Sequence, residues 1–591
     1  MSSRKVLIIG VDAGTLDLIE PWAAAGRLPN ISRLIARGAF GVARSTVPPS
    51  TYPAWTTFMT GVGPGRHGLA DFLIREPGKY ALRFAGARDR GEGAPSLWSL
   101  LSRTGRRVAV IGMPATHPPE RLNGVMVSGF DSPLAYRWDR GFVLPVSYFE
   151  EITRAVGPYR FSACGEDHVD EGWHDRAKGE ILDSLEQQTR VAEYILGRED
   201  WDLFAMVFGQ TDTACHHFWM FHDPASPRFS GRDSPEAARH GGFIGEVYRR
   251  VDASIGRLIK TGPRDASVLL VSDHGAGGAG NGVVRLNRWL EREGWLTFRN
   301  FTVRDRALRR VRRFGLSHVP RGLKQSVFRR RGRELAGAIE SRIRFGGIDF
   351  ARTAAFSEEM SSFPGVWANL RGRDPEGILP PGEYEPLRDN IIRSAESLRD
   401  PRTGERIFNR AARREEVYSG PYVDRFPDVV LEPALERDPH PNEAASAQGY
   451  SYSFLTSGEG PGDDGGETSW FRELRPDERA GARGRGMNGT HRPEGFFVFS
   501  GPGVRPGRYE PGADLADFAP TLMAHLGERP AVSMEGRVLS ALLDAPGPSS
   551  EPSPPKPPVR NADLTSVTMG AGGPDWEMET AERLRDLGYL E

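Results

Sequence analysis

The sequence predicts an α/β fold built on a mainly parallel sheet, and two patterns predict it. Short runs rich in Val, Ile, Leu and Phe recur at Val6–Val11, 108–112, Leu203–Phe208, 267–272, 428–431 and 496–500. They are continuous rather than alternating, as expected of strands covered on both faces. Helical periodicities lie between them: Ile31, Leu34 and Ile35 share a face over Pro29–Arg37, and a second pattern spans 181–196. In a third, over 243–259, Ile244, Val247, Val251, Ile255, Leu258 and Ile259 recur at helical spacing. Strands alternating with helices favour parallel pairing.

At 591 residues the chain is too long for one simple core, and 38% hydrophobic residues suffice for a large one. The composition divides it into a first core part (1–300), a basic helical insertion with a small cap domain (301–420), a second core part (421–545) and a tail (546–591). In 304–333, Arg309, Arg310, Arg312, Arg313, Arg329, Arg330 and Arg331 are punctuated by Leu308, Val311, Leu316, Leu323 and Val327. This stretch reads as a solvated amphipathic helix pair, or as a patch for anionic lipid or a phosphate-rich partner. Turn signals such as Leu379-Pro-Pro-Gly382 mark 348–420 as the small inserted domain. The Gly-, Asp- and Arg-rich stretch 457–486 reads as a loop, mobile or closing over a site. A Pro- and Ser-rich linker (546–558) precedes a short terminal helix over 576–590.

The formal net charge of -1 provides no global field toward nucleic acid or membrane. The two cysteines, Cys164 and Cys215, cannot build a disulfide framework or a Cys-x-x-Cys zinc site. Any metal must therefore use His and carboxylate ligands. No apolar stretch approaches bilayer-spanning length, and Val6–Val11 is too short for a signal-peptide core, so a cytoplasmic location is expected.

Five segments carry chemistry, and in open α/β sheets such segments converge beyond the carboxyl ends of the strands. Asp12 ends the first strand. In Pro48-Pro-Ser-Thr51-Tyr-Pro, the prolines place Ser50 and Thr51 in a turn before a helix, where backbone N–H groups favour phosphate. In Gly209-Gln-Thr-Asp212-Thr-Ala-Cys-His216-His217, Asp212 and His216 share a helix face, which leaves His217 structural or supporting a ligand from behind. Asp273 and His274 follow a buried strand and precede Gly275, which permits a tight turn. His491 closes Gly489-Thr-His491. Each has a plainer reading as a helix cap, polar turn or surface side chain. Together, Asp12, Asp212, His216, Asp273, His274 and His491 offer only oxygen and nitrogen donors. These suit two divalent cations: zinc first, with manganese or iron as alternatives. Two cations roughly 4 Å apart would clamp the attacking and leaving oxygens of an in-line displacement.

These motifs, with PPSTYPAWTTFMTGVGPGRHG around Thr51 and the late segment 514–527, resemble the type I phosphodiesterase/nucleotide pyrophosphatase family of the alkaline phosphatase superfamily. The resemblance runs from Lys5 to about Leu543 and implies an alkaline-phosphatase-like three-layer sandwich with an inserted cap region. Leu286-Asn-Arg-Trp-Leu290, Asn369-Leu-Arg-Gly-Arg373 and Asp400-Pro-Arg-Thr-Gly404 look like a bacterial and archaeal branch labelled phosphohydrolase or phosphomutase. Carried over by residue, the resemblance implies one metal on Asp212, His216 and His491, and another on Asp12, Asp273, His274 and Thr51. Thr51 would form a phospho-threonine intermediate that water then hydrolyses. The implied substrate is a small-molecule phosphate ester or nucleotide, with phosphodiester or pyrophosphate favoured and no specific nucleic-acid binding. Ala54 stands where the family places a phosphate-binding Asn, so Asn281 or a backbone N–H is the expected replacement. A sulfatase is disfavoured because Thr cannot become formylglycine and Trp55 occupies the required Arg place. The alternatives are a phosphomonoesterase or phosphomutase on the same fold, and a non-catalytic protein that binds anionic surfaces, including a peripheral membrane contact, through 304–333.

Overall fold

The computed structural model describes residues 4–129, 138–161, 163–164, 169, 172–229, 231, 233–299, 341–342, 344–359, 364–436, 449–455, 469–475, 478–479 and 487–544. The basic stretch 304–333, most of the 457–486 loop and the whole tail from 546 lie outside the described residues.

At the centre stands a ten-stranded sheet. Ser267–Val271, Val6–Val11, Leu203–Phe208, Val108–Met113 and Gly124–Ser128 lie side by side in parallel. Glu494–Ser500 joins next to Ser267–Val271 but runs antiparallel, and it pairs on its other side with Gly38–Arg44. Alternate residues of the first strand enter different cores. Leu7, Ile9 and Val11 pack with Ile181, Leu185, Val251 and Ile255, from helices Trp173–Leu196 and Phe243–Thr261. Val6 and Ile8 pack with Trp55, Phe58, Leu97 and Phe518, from helices Thr51–Thr60, Leu97–Arg103 and Leu515–His525. The result is helix on sheet on helix, the three-layer α/β architecture expected. Ile8 and Ile9 are both fully buried, each stabilising by about 1.5–3 kcal/mol, so neither face of the strand tolerates a polar residue.

One expected strand lies elsewhere. The 428–431 run forms Val429–Pro433 in a separate four-stranded antiparallel sheet with Ala355–Phe356, Gly365–Ala368 and Phe408–Arg413. A continuous apolar run reports burial on both faces, not which sheet provides it. This inserted layer has its own core, with Phe356, Trp367, Ile391 and Leu431. It is pinned by buried Asp428, which takes two 2.8 Å hydrogen bonds from the Arg373 guanidinium. Burial works to raise the Asp428 pKa, but Arg373 and then Arg414 hold it below the usual carboxylate range.

Gly275–Val284 leaves the main sheet to form the spine of a second small sheet. It pairs with Tyr450–Phe454, Phe471–Glu473 and, at its start, Gly489–Arg492. That last pairing carries His491 to the rim where His274 sits.

Candidate active site

Asp12, Asp273 and His274 lie just past strands of the main sheet, on the rim where the parallel strands end, and Thr51, Asp212 and His216 lie in helices that start beyond that rim. The chain turns sharply after Val11, with Ala13 at φ 56, and the buried Asp12 sits in that turn. Ala13 N–H donates to Asp273 Oδ1 at 3.3 Å, and Gly14 N–H donates to Ser272 Oγ at 2.8 Å, tying the two strand ends together. Trp55 Nε1 donates to Asp12 Oδ2 at 3.2 Å. The indole at the sulfatase arginine place thus orients a carboxylate, a role sequence reasoning missed.

Thr51 opens helix Thr51–Thr60 and is 1% exposed. Ser50, at the N-cap, does not cap the helix with its side chain; Ser50 Oγ donates instead to buried Asp71 Oδ1 at 3.1 Å. Asp71 has no motif spacing from Thr51 and was invisible in the sequence. Thr51 Oγ1 lies 3.5 Å from His274 Nε2.

The three histidines share one device. His216 Nδ1 is 2.8 Å from Gly489 O, His491 Nδ1 is 2.8 Å from Pro49 O, and His274 Nδ1 is 3.1 Å from Gly275 O. A carbonyl oxygen only accepts, so each Nδ1 carries the hydrogen and each Nε2 presents a lone pair. Those lone pairs converge on carboxylates. Asp212 Oδ1 is 3.1 Å from His216 Nε2 and 3.3 Å from His491 Nε2, and the two Nε2 atoms are 3.0 Å apart. His274 Nε2 is 3.2 Å from Asp273 Oδ2 and 3.6 Å from Asp12 Oδ1. The two groups abut, with the His274 and His491 rings stacked at 3.7 Å. Asp212 Oδ1 and Asp273 Oδ2 are buried and take no hydrogen bond among the described residues.

Electron-pair donors gathered this closely, without hydrogens between them, fit a cation. The ligand atoms of Asp212, His274 and His491 all lie within 4.8 Å of one another, as do those of Asp12, Asp273 and His274. The titration of these groups reflects the same crowding. Burial, then repulsion from Asp212, pushes Asp273 well above the usual carboxylate range. Burial, then His491, pushes His274 well below the usual imidazole value. Burial also acts to raise Asp212, yet His216 and His491 hold it well below its ordinary value.

Two residues singled out in the sequence lie away from this centre. His217 is buried against Trp173, with ring centroids 4.7 Å apart, and its carbonyl accepts from Asn488 Nδ2 at 2.9 Å, in keeping with a structural role. Asn281 sits six residues beyond Gly275 on the same strand, roughly 20 Å along an extended chain. Its Nδ2 donates to Pro227 O at 3.2 Å, away from Thr51 and the proposed ligands.

The sequence matches the type I phosphodiesterase / nucleotide pyrophosphatase family over residues 6–440. The chain belongs to that family and is a hydrolase acting on phosphoric esters, within the alkaline phosphatase superfamily. Among solved structures, human ectonucleotide pyrophosphatase / phosphodiesterase 5 shares 13% identity, covering 92% of this chain and 100% of its own, with a TM-score of 0.44. Phosphonoacetate hydrolase from Sinorhizobium meliloti 1021, in complex with phosphonoformate, shares 14% identity, covering 88% and 94%, with a TM-score of 0.45. No curated protein matches the sequence.

Proposed function

We propose that the protein hydrolyses a phosphodiester or pyrophosphate bond through attack by Thr51 on phosphorus. One observation carries this reading. Three imidazoles, each locked at Nδ1 by a backbone carbonyl, aim Nε2 at buried carboxylates beside a buried threonine hydroxyl. Asp212, His216 and His491 would hold one divalent cation, and Asp12, Asp273, His274 and Thr51 a second. Zinc is favoured by the N/O donor set, over manganese or iron. Bound there, such cations supply positive charge that lowers the pKa of a hydroxyl and offsets charge developing on phosphate oxygens.

The chain's own residues do the rest. The start of helix Thr51–Thr60 directs backbone N–H groups and the positive end of its dipole at the phosphate. Ser50, held by Asp71, fixes the turn from which Thr51 projects. Thr51 Oγ attacks phosphorus, the ester oxygen leaves, and the phospho-threonine formed is hydrolysed by water, returning Thr51. With Ala54 at the family's Asn position and Asn281 remote, the phosphate contact is assigned to these backbone amides.

Thr51→Ala tests the reading. Turnover of a panel of p-nitrophenyl mono- and diesters should fall by roughly three orders of magnitude or more. Metal content, measured by elemental analysis, should hold. If Ser50→Ala rather than Thr51→Ala removes turnover, the nucleophile is Ser50. A panel hydrolysed only as monoesters would replace the diester reading. Further parts of the proposal have their own tests: limited proteolysis for the division at 300, 420 and 545, vesicle co-sedimentation for a membrane contact through 304–333, and fractionation for a cytoplasmic location. No described helix is long and apolar enough to cross a membrane.

A further inference from the structure

Two imidazoles proposed to share one cation come from elements far apart in the chain. His216 lies on helix Gln210–His222 and His491 on strand Gly489–Arg492, yet their Nε2 atoms stand 3.0 Å apart and both face Asp212 Oδ1. The gap between helix and strand sets whether both lone pairs can reach one ion. A single residue, Asn488, is placed to set that gap.

Asn488 is fully buried at the entrance to the strand. Its N–H donates to His216 O at 3.1 Å, its Oδ1 accepts from Met220 N–H at 3.0 Å, and its Nδ2 donates to His217 O at 2.9 Å. His216 O and Met220 N–H are i→i−4 partners in an α-helix, so one asparagine grips both members of a helical pair and the next carbonyl as well. The turn it grips begins at the ligand itself. On its other side, Asn488 O accepts from Ala279 N–H at 3.0 Å, on the strand Gly275–Val284 that places Ala276 opposite His491. Just before it, Met487 O accepts from Nη1 of the buried Arg228 at 2.9 Å. An asparagine that only closed a turn would bond to its own neighbours. Both side-chain bonds of Asn488 instead span 268 and 271 residues to the ligand-bearing helix.

The other group of donors is oriented by different contacts. Ala13 N–H holds Asp273, Trp55 Nε1 holds Asp12, and Gly275 O sets the His274 ring. We propose that Asn488 is the positioning residue for the cation of Asp212, His216 and His491, fixing the approach of the two imidazoles, and that it leaves the cation of Asp12, Asp273, His274 and Thr51 unaffected. The assignment rests on the two-cation hydrolase reading above and names the residue that aligns one half of it.

The test titrates zinc into the metal-stripped full chain against a chromophoric chelator. Wild type should take up two ions. Asn488→Ala should weaken one of them by about 10–100-fold, the loss that follows when a ligand's supporting partner is changed, and leave the other within about threefold. Asn488→Ser, whose hydroxyl can serve one of the two side-chain partners, should weaken the same ion less. His216→Ala removes a ligand of that ion, so combining it with Asn488→Ala should cost no second ion. Turnover of a p-nitrophenyl diester by Asn488→Ala should fall at low zinc and recover as zinc is raised, which a merely structural role would not produce. Unchanged affinities, equal weakening of both ions, a double variant that loses both, or far-ultraviolet dichroism showing that neither Asn488 variant folds overturns the assignment. Two ions bound by a wild type that turns over no ester would sink the hydrolase reading and leave this one standing. A wild type that takes up no zinc would sink both.

Discussion

At the scale of single residues, the site depends on hydrogen bonds that set which imidazole nitrogen is open. Asp273 has Oδ1 engaged by Ala13 N–H and Oδ2 facing His274 Nε2. Asp273→Asn would place an amide where a charged oxygen is needed. We expect metal retained after dialysis, read by elemental analysis, to fall along with activity. The affinity loss should be at least the roughly 10–100-fold that changing a ligand's supporting partner costs. Asp71→Ala removes the acceptor for Ser50 Oγ and leaves a buried hydroxyl unserved, which costs about 1–3 kcal/mol. The urea midpoint should drop accordingly, and kcat should fall more than KM rises, because Asp71 positions Thr51 without touching substrate.

At the scale of elements, the Gly489–Arg492 strand must lie against helix Gln210–His222 for His491 and His216 to face the same carboxylate. Gly489 makes that approach possible: a Cβ there would sit 1.9 Å from Cys215 O and 3.2 Å from His216 Cα. Because Gly489 O also accepts from His216 Nδ1, displacing this strand misaims two ligands at once. Gly489→Ala should therefore lose metal and turnover while keeping its far-ultraviolet dichroism, since the main sheet is untouched. Retained metal in a folded Gly489→Ala protein would show that the strand has room to adjust. The sequence showed Gly-Thr-His as a motif but not this reason for the glycine, because the helix it touches is more than 270 residues away.

At the scale of the whole molecule, cations held between Asp12, Asp212, Asp273 and three histidines would tie segments from Asp12 to His491 to one rim. Ligand present at 100 times its Kd adds about 2.7 kcal/mol to stability. Treatment with a chelator should lower Tm, and zinc should restore it; an unchanged Tm would count against metal held by these residues. Acid should act through buried neutral histidines. Burial, then Arg90, lowers His67 to about 3, and burial, then Arg4, lowers His525 to about 4. Their folded values lie below the unfolded one near 6.5, so the unfolded chain binds more protons between those limits. Stability from these groups is complete above about pH 6.5 and falls as pH drops toward 3–4, by up to about 1.4 kcal/mol per pH unit for each. His67→Gln should therefore flatten the loss of urea midpoint between pH 7 and pH 4.5 relative to wild type.

The sequence by itself determined the layers and the donors. Runs such as Val6–Val11 and Ser267–Val271 are apolar almost throughout because both faces of each strand are covered, and the proposed ligands Asp12, Asp273 and His274 follow closely because strand ends are where polar side chains can gather. The spacing of Asp212 and His216 survived intact because it is set within one helix turn. Only the tertiary structure decided which sheet received the 428–431 run, that Asn281 lies far along its strand, and that Trp55 meets Asp12 and Asp71 meets Ser50. Those outcomes depend on contacts between segments distant in the sequence, and local pattern has no term for a partner that the folded chain alone brings near.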